Sequence, residues 1–459
     1  VGQLNVNGAG VTQNVSVLTI YAPAGANSTA VSGTGTLALN GALNFLNNTT
    51  APGNDHHVDI TVATLAMGAG NRQINVQGQN LSPELTITSA ITGTGGYTVN
   101  ASASTFNNAM ATVALTGSAV NTNNGLVTVN TGNLLLSRTV INTAIVGNIV
   151  IGDNLADPVS GVFANSARAT LGVTGQIANT SNMTINADGQ FDMAGLGELM
   201  NGMTINSGNV ANVPVSGGVS DLGLVSFLQM TGGSINGGTG ATNGLSLFGA
   251  GTTVTATSDA GGAATINSNV RLWGTTFGTG RTFTVTRGPA AQDLIINGVV
   301  QDGQNAGSVS LTKAGNGFMQ LSGLNTYNGE TVVTDGQLTV TQSTSGNFSA
   351  LGFGDNTLPQ GTIVDGSAHT AKLVLPNGTS ITNEFLQLKD GGQLVLGTPG
   401  GTATWGGTIQ IVGAPGILDA NGGTLNVGSI DKTDVNLTLT DSLNSAKGVA
   451  TINVGGKKQ

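Results

Sequence analysis

A five-residue unit, Gly-x-Leu-x-Val or Gly-x-Leu-x-Leu, recurs along this chain and limits what the chain can fold into. In each copy the two apolar residues stand two positions apart, so both face the same side of a β-strand. Asn, Asp or a second Gly precedes the glycine in several copies, as in Asn421-Gly422 and at Asp335, and these residue types tolerate the positive φ of sharp turns. The unit occurs at residues 35–39, 132–136, 336–340, 392–396 and 423–427.

Other short runs show the same alternation and are separated by turn residues. They lie at residues 58–62, 127–129, 183–185 and 283–285. Short strands at this spacing, with little helical periodicity, predict an all-β sandwich, barrel or solenoid. Because the repetition continues along the whole sequence, a parallel β-helix fits best, and we predict one continuous β-helix over 1–459 that forms a segment of a longer chain.

The scarcity of charge supports the solenoid. Charged residues make up 8% of the chain, against roughly 25% in ordinary soluble domains. Equivalent residues of stacked coils face each other about 4.8 Å apart, and identical charges would repel at that distance. Ladders of Thr, Val and Asn do not repel, and Asn ladders can form hydrogen bonds. Repeats of roughly 20 to 45 residues are expected for such a fold.

Composition also excludes several functional classes. The net charge is −9, from 13 basic and 22 acidic residues, which argues against a nucleic-acid partner because no basic stripe is available to neutralise phosphates. No apolar run approaches the roughly 20 residues of a membrane-spanning helix. The sequence starts at Val1 without a signal-peptide pattern, so we expect a mature form or a fragment.

One 30-residue stretch, "LTKAGNGFMQLSGLNTYNGETVVTDGQLTV" at 311–340, resembles the autotransporter-associated β-strand repeat, also called the passenger-associated transport repeat. The lead-in at 293–303 is similar to what precedes that repeat, and 402–430 resembles a Trp-x-Gly-x-Ile segment that follows it. Residues 175–195 look like units of long surface proteins from planctomycetes. The matched positions are Leu311, Lys313, Gly315, Gly317, Leu321, Gly323, Asn325, Tyr327, Gly329, Thr331, Val333, Gly336, Leu338 and Val340.

The resemblance implies a right-handed parallel β-helix that is exported and displayed at the cell surface. It divides the chain into upstream β-strand repeats at 121–290, the best-matching repeat at 293–340 and following repeats at 341–459. Members of the family are adhesins, passengers and fibrous surface proteins. They share no catalytic residues, so the resemblance implies none here.

A small set of polar residues could form a metal site or a catalytic site. In a strand, Asp55, His57 and Asp59 would alternate onto one face and could hold a metal ion, or they could belong to a solvated loop. Asp188 and Asp192 could be the paired carboxylates of a polysaccharide hydrolase, or turn residues around a glycine.

Loops and aromatic residues supply the remaining candidates. The oxygen-rich loops at 152–158 and 352–359 could bind calcium or form Asx-type turns. Trp273, Trp405 and Tyr327 could stack on sugars or pack in the core and at corners.

These features favour a structural protein: a repeat segment of an exported bacterial cell-surface fibre, layer or autotransporter-like passenger. It would act as a rod-like scaffold without catalysis, without a cofactor, and by self-association, head-to-tail or laterally. The alternative is an adhesin that contacts a glycan or the cell envelope through its loops. A polysaccharide-degrading enzyme on the same fold is the third hypothesis, which four glutamates in the whole chain disfavour.

Overall fold

The structure is a computed structural model. It describes residues 3–21, 28–46, 57–79, 82–105, 107–214, 221–237, 244–249, 251–273, 280–303, 308–431, 437–442 and 451–454. The chain divides into two compact units, Val1–Gly223 and Leu224–Gln459.

The first unit is built from short strands joined by turns. Its strands are β1 (Leu4–Asn5), β2 (Thr12–Val15), β3 (Leu18–Tyr21), β4 (Ser28–Ser32), β5 (Thr36–Leu39), β6 (Leu43–Leu46), β7 (Val58–Ile60), β8 (Thr64–Ala66), β9 (Arg72–Gln77), β10 (Leu85–Ile87), β11 (Ala90–Thr92), β12 (Tyr97–Ser102), β13 (Thr112–Gly117), β14 (Val127–Arg138), β15 (Ile149–Ile151), β16 (Ala167–Leu171), β17 (Asn182–Ile185), β18 (Gly189–Asp192), β19 (Glu198–Asn206) and β20 (Asn209–Val213).

These strands stack as parallel ladders, with a register shift where β4 meets β7 and another where β12 meets β14. One ladder runs β1–β4–β7–β10–β13–β14–β16–β18–β20. A second runs β3–β6–β9–β12–β14–β15–β17–β19. The third side is β2–β5–β8–β11. Strand β14 is long enough to serve two ladders, with its first residues in one and its last residues in the other.

The second unit begins inside β21 (Leu222–Thr231) and repeats the pattern. Its further elements are β22 (Ser234–Gly237), β23 (Leu245–Leu247), β24 (Thr253–Thr257), β25 (Ala264–Ile266), β26 (Val270–Leu272), β27 (Arg281–Thr286), β28 (Leu294–Ile296), β29 (Val300–Asp302), β30 (Leu311–Ala314), β31 (Phe318–Leu321), β32 (Thr331–Val333), β33 (Gly336–Val340), β34 (Phe348–Ser349), β35 (Gly352–Phe353), a 3-10 turn at Leu358–Gln360, β36 (Thr362–Asp365), β37 (Ala371–Leu375), β38 (Ser380–Ile381), β39 (Leu386–Lys389), β40 (Gln393–Leu396), β41 (Thr402–Trp405), β42 (Ile409–Val412), β43 (Gly416–Asp419), β44 (Thr424–Val427), β45 (Ile430–Asp431), β46 (Leu437–Thr440) and β47 (Thr451–Val454).

Its ladders are parallel as well. One runs β22–β25–β28–β31–β33–β37–β40–β43–β46. Another runs β21–β24–β27–β30–β32–β36–β39–β42–β45. Two shorter ladders are β23–β26–β29 and β38–β41–β44–β47. The hairpin β34–β35 is antiparallel.

The alternation seen in the sequence fixes which side chains enter the core. Leu134 and Leu136 are fully buried, and so are Leu338 and Val340 in the second unit. Their intervening neighbours in the strands point away from these apolar stacks. The predicted strands around residues 58, 127, 183 and 283 all form, and the apolar residue at each of these four positions is buried.

The repeat glycines lie where a side chain would clash with the adjacent coil or strain the backbone. Gly336 has φ of +65°, and a Cβ atom there would lie 2.5 Å from the carbonyl oxygen of Gly317 on the adjacent coil. At Gly392 the φ is ordinary, yet a Cβ would lie 1.9 Å from the carbonyl oxygen of Val364. The turn before another copy uses positive φ at Asn421, as the sequence predicts. Glycine therefore serves both turn conformation and close contact between coils.

The predicted fold class is confirmed: the protein is all-β, and its stacked parallel ladders form a parallel β-helix. The single continuous helix over 1–459 and the repeat boundaries stay predictions. Among the residues that the structure describes, no helix has the length and apolarity to cross a membrane.

Candidate functional site

The metal candidate is placed only in part, because Asp55 lies outside the described residues. His57 and Asp59 do meet: the Nε2 atom of His57 lies 2.7 Å from Oδ1 of Asp59. The other ring nitrogen, Nδ1, lies 2.6 Å from the carbonyl oxygen of Pro83. Each ring nitrogen therefore faces a protein oxygen. A metal ligand must direct a lone pair at the ion, and within the described chain no group of three His, Cys, Asp or Glu side chains could hold one.

The carboxylate pair of the hydrolase hypothesis bonds to the backbone of turns. Asp188 is fully buried, and its two oxygens accept hydrogen bonds from the amides of Asp153 and Asn154, at 3.1 and 2.8 Å. Asp192 is half-buried and accepts from the amide of Ala194 at 2.9 Å and from Nδ2 of Asn212 at 2.8 Å. Asp188 therefore caps a turn of another coil, at residues 153–154, whereas Asp192 caps the turn that directly follows it.

The first calcium candidate, at 152–158, also has a capping carboxylate. Asp157 accepts from the amides of Ala103, Val159 and Ser160 and from the Thr131 hydroxyl, at 2.7 to 2.9 Å. Burial by itself raises the pKa of Asp157, but these hydrogen bonds outweigh burial and leave the pKa lowered. Protein donors thus stabilise the charged carboxylate.

The second calcium candidate, at 352–359, is tied to a distant coil. Oδ1 of Asn356 accepts from the Thr408 amide at 2.7 Å, and Nδ2 of Asn356 donates to the Thr408 hydroxyl at 3.2 Å. Asp355 accepts from the amide of Thr357 at 2.9 Å. This is an Asx-type turn, and its oxygens bond within the protein.

Two of the three aromatic candidates are packing residues. Tyr327 and Trp405 are fully buried, and the Tyr327 hydroxyl is hydrogen-bonded to Thr331. Burial raises the pKa of Tyr327 above its ordinary value.

Trp273 differs, because it lies beside an exposed ring. Its centroid is 4.8 Å from that of Phe248, which is 46% exposed. Its indole Nε1 donates to the Ser246 hydroxyl at 3.2 Å. A Cβ on Gly303 would come within 2.7 Å of the Trp273 ring, so the glycine backbone lies against that ring. Phe248 is therefore the ring of this pair that remains open to solvent.

Asparagine side chains form a hydrogen-bonded ladder in the first unit. Nδ2 of Asn75 donates to Oδ1 of Asn44 at 2.8 Å, Asn100 donates to Asn75 at 2.9 Å, and Asn130 donates to Asn100 at 3.0 Å. These residues are 31, 25 and 30 positions apart in sequence, within the repeat length expected above. The sequence predicted ladders of this kind, and they join four successive coils.

A second asparagine ladder lies in the other unit. Nδ2 of Asn267 donates to Oδ1 of Asn236 at 2.6 Å, and Asn297 donates to Asn267 at 2.8 Å. Each amide offers both a donor and an acceptor, so a stacked column can satisfy itself along its length. The same device therefore operates in both units.

Polar residues of the family-like stretch are structural in this chain. The Nζ atom of Lys313 is buried and donates to the carbonyl oxygens of Ala314, Gly315 and Asp335, at 3.1, 2.6 and 2.9 Å. Burial lowers the pKa of Lys313 to about 8. The lysine thus satisfies three turn carbonyls that would otherwise be buried without a donor.

Arg138 is a buried cation that the sequence did not single out. It is fully buried, and its guanidinium donates to the carbonyl oxygens of Thr88, Ser89 and Thr116 and to Oδ1 of Asn121. Burial lowers the pKa of Arg138 to about 10. Because these acceptors come from different coils, one side chain joins three layers of the β-helix.

Hydrogen bonds through Gln176 link the backbone of Arg138 to the buried carboxyl group of Glu198. The side chain of Gln176 exchanges hydrogen bonds with the backbone of Arg138, at 2.7 and 3.1 Å. Glu198 then accepts from the amides of Gln176 and Ile177, at 2.7 and 3.2 Å. Burial raises the pKa of Glu198 to about 7.

Two further glutamates are buried in the same way. Glu84 accepts from the amides of Gln79 and Thr112, at 3.1 and 2.6 Å, and burial raises its pKa to about 7. Glu384 accepts from the Thr362 hydroxyl at 2.9 Å, and burial raises its pKa well above the ordinary value. Raised carboxyl pKa values often mark active sites, but these three carboxyls lie in separate coils. The scarcity of glutamate was the one sequence signal that could have drawn attention to them.

Comparison with known proteins identified no relative of this chain. The sequence matches no family model, no curated protein and no solved structure. The resemblance over 311–340 therefore stays a prediction.

Proposed function

We propose that this chain is a structural segment of an exported bacterial cell-surface fibre, layer or autotransporter-like passenger, and that it works as a scaffold without catalysis. The observation that carries the proposal is the use made of polar side chains. Asparagines bond to asparagines of neighbouring coils, and buried charged groups such as Arg138 and Asp188 bond to backbone groups. Polar groups of the kind that bind a substrate in an enzyme are here hydrogen-bonded to neighbouring coils.

The mechanical consequence supports a scaffold. In a solenoid each coil contacts only its neighbours, so stability is a sum of local terms and coil-to-coil contacts. The asparagine ladders add to the contacts between the coils that they join. The low content of charged residues, 8% of the chain, also favours close lateral contact between copies, because few charges must be desolvated.

Electron microscopy of the bacterium that carries the protein tests this proposal. Antibodies against the chain should label fibres or a layer on the outside of the cell. Fibre diffraction from the same material should give an axial spacing near about 4.8 Å. A cytoplasmic label, or labelled protein dispersed at the surface without order, would contradict the scaffold.

Phe248 favours a second candidate, an adhesin. Its exposed ring lies against Trp273, and exposed aromatic rings stack on the apolar faces of sugars. A glycan array probed with the whole chain should then give hits that Phe248→Ala removes. The control is Phe191→Leu, a buried core change, which should leave the hits in place if the protein still folds. An array without hits rejects the adhesin.

The enzyme hypothesis has a direct check. Asp192 is half-buried, which leaves part of its side chain accessible. Because Asp192→Asn removes the carboxylate, it should abolish any polysaccharide hydrolysis in which that carboxylate acts as acid or base. We expect no such activity in the unaltered protein, and an activity that this variant removes would overturn the scaffold proposal.

A further inference from the structure

A cavity of about 180 Å³ lies between two connections of the first unit. Ala103, Asn108 and Met110 line it from the connection between β12 and β13, and Asp157 lines it from the connection between β15 and β16. The two connections are joined directly, because Oδ2 of Asp157 accepts a hydrogen bond from the amide of Ala103 at 2.9 Å. The walls of the cavity are therefore held together by a contact between segments 54 residues apart.

Arg168, the second residue of β16, also lines this cavity. Its neighbours Ala167 and Ala169 are fully buried, so the alternation of the strand directs Arg168 away from the apolar core. Among the residues that the structure describes, Arg168 forms no ion pair, and its buried Nε atom has no hydrogen-bond partner. A buried donor without an acceptor is unfavourable, so this guanidinium suits a ligand that brings acceptors.

Two asparagine side chains in the cavity lining are available to the same ligand. The side chains of Asn108 and Asn165 bond to no residue in the described part of the chain. Each amide offers donors and an acceptor. The hydroxyls of Ser160 and Ser166, by contrast, already donate to Asp157 and to the carbonyl oxygen of Leu155.

The acid in the cavity lining, Asp157, is occupied by the protein. Asp153 and Asp188, near the start of the same connection, accept from backbone amides as well and do not line the cavity. Because its donors stabilise the charge of Asp157, the guanidinium of Arg168 is not needed as its partner. The oxygens of Asp157 accept five hydrogen bonds, from the amides of Ala103, Val159 and Ser160 and from the hydroxyls of Thr131 and Ser160.

We propose that this cavity binds a sugar acid, whose carboxylate accepts hydrogen bonds from the guanidinium of Arg168 and whose ring hydroxyls bond to the amides of Asn108 and Asn165. Met110 and Val162, which also line the cavity, would contact the C–H groups of the ring. The inference goes beyond the scaffold proposal, because it gives the chain a small-molecule ligand.

Charge and shape favour a carboxylate over a phosphate. A guanidinium pairs with a planar carboxylate through two parallel hydrogen bonds, and the single negative charge of a carboxylate balances the charge of Arg168. A phosphate dianion would bring a second negative charge near Asp157. Arg168 is the one Lys or Arg among the described lining residues, so that second charge would be left without a partner.

The position of the cavity favours a sugar acid over an acidic peptide. Extended peptides often bind by adding a strand to an unpaired sheet edge. Strand β16 offers no such edge, because it pairs with β14 on one side and with β18 on the other. A few polar side chains placed among apolar ones are typical of small-molecule sites.

Isothermal titration calorimetry of the whole chain with glucuronate tests the proposal. Glucuronate should bind, and glucose, which lacks the carboxylate, should bind at least about tenfold more weakly. Methyl glucuronoside identifies the source of the ligand: binding as tight as that of glucuronate indicates a residue within a glycan, and binding of glucuronate alone indicates a free sugar acid. Absence of glucuronate binding, or equally tight binding of glucose, inorganic phosphate or N-acetylglutamate amide, overturns the proposal.

Variants assign the binding to this cavity. Arg168→Gln should weaken glucuronate binding at least about tenfold, and Arg168→Lys should weaken it less, because the charge remains and the planar fork is lost. Asn165→Asp should weaken it by placing a negative charge beside the carboxylate. The matched control is Lys372→Gln, since Lys372 is a half-buried cation that lines a different cavity.

All four variants should keep the melting temperature of the unaltered protein, because the altered side chains make no hydrogen bond to a described residue. Arg168→Gln and Asn165→Asp proteins that bind glucuronate like the unaltered one overturn the proposal, and so does an equal loss in Lys372→Gln. Failure of this site is distinguishable from failure of the scaffold, since binding is measured on the purified chain and ordered surface material is sought on the cell.

Discussion

Asn100 donates a hydrogen bond from Nδ2 to Oδ1 of Asn75, 2.9 Å away and 25 residues earlier in the sequence. The same amide accepts from Nδ2 of Asn130 at 3.0 Å and donates to Oε1 of Gln73 at 2.7 Å. One side chain thus bonds to the coil before it and to the coil after it. The stack is held by side chains as well as by the backbone ladder.

Asn100→Asp should destabilise the first unit by about 1–3 kcal/mol at neutral pH. The carboxylate has no proton to donate, so its charge would face Oδ1 of Asn75 and Oε1 of Gln73. Urea unfolding measured at neutral pH and again in acid, below the ordinary pKa of an aspartate, checks this, because protonation restores a donor and should recover part of the loss. Asn100→Ser, which is uncharged, is the control and should be milder. Equal losses for both variants under both conditions would show that the ladder hydrogen bonds do not matter.

Stability should rise as the solution is made mildly acidic. Burial raises the pKa of Glu84 and of Glu198 from 4.5 to about 7 in the folded protein. Between those values the folded state holds protons that the unfolded chain has released, so these groups stabilise fully below pH 4.5 and lose their contribution as pH rises through 7. Each shift corresponds to on the order of 3 kcal/mol.

Acidic residues with lowered pKa values have the opposite effect: they make the folded protein less stable in stronger acid. The pKa values of Asp157 and Asp293 are lowered, because their hydrogen bonds outweigh the effect of burial. Their contribution is present above pH 3.8 and is lost as pH falls further. Thermal melts should therefore show greatest stability near about pH 4–5. Glu84→Gln combined with Glu198→Gln should flatten the decline from that maximum up to about pH 8, and a double variant with an unchanged pH profile would refute this assignment.

Local patterns were enough to predict the fold class and the ladders. Alternation at Leu338 and Val340, glycine before the strand, and scarce charge each indicated a stacked parallel β-structure. Asparagine ladders followed from the same argument, because identical residues meet when coils stack in register. The packing alternative for Tyr327 and Trp405 also matches their complete burial.

The buried charges lay beyond sequence reasoning for a physical reason. The Nη atoms of Arg138 donate to carbonyl oxygens 22, 49 and 50 residues away, and no local pattern indicates which carbonyls a distant coil will present. Lys313 was singled out only as part of a repeat, and its three carbonyl partners became evident from the turn geometry.

Replacing Arg138 should weaken the first unit strongly. Arg138→Met keeps an apolar stem but leaves the carbonyl oxygens of Ser89 and Thr116 without their donor, and unsatisfied buried groups cost about 1–3 kcal/mol each. Arg138→Lys retains one donor group and should cost less. Hydrogen exchange at residues 85–145 should report the loss, with exchange at 371–396 unchanged as an internal control. Equal exchange in the altered and unaltered proteins would mean that the guanidinium does not join these coils.

Two adjacent glycines allow the cost of left-handed backbone and the cost of a clash between coils to be measured separately. Gly391 has φ of +88° and open space within 4 Å of the position that a Cβ would take, whereas Gly392 has an ordinary φ and would place its Cβ 1.9 Å from the Val364 carbonyl oxygen. Gly391→Ala should cost about 1–2 kcal/mol, the usual penalty for left-handed backbone in a residue with a side chain. Gly392→Ala should cost more, because the adjacent coil must move and its ladder hydrogen bonds must lengthen. Urea unfolding of the two variants decides the order, and a larger loss for Gly391→Ala would show that turn strain, rather than coil spacing, explains the recurring glycine.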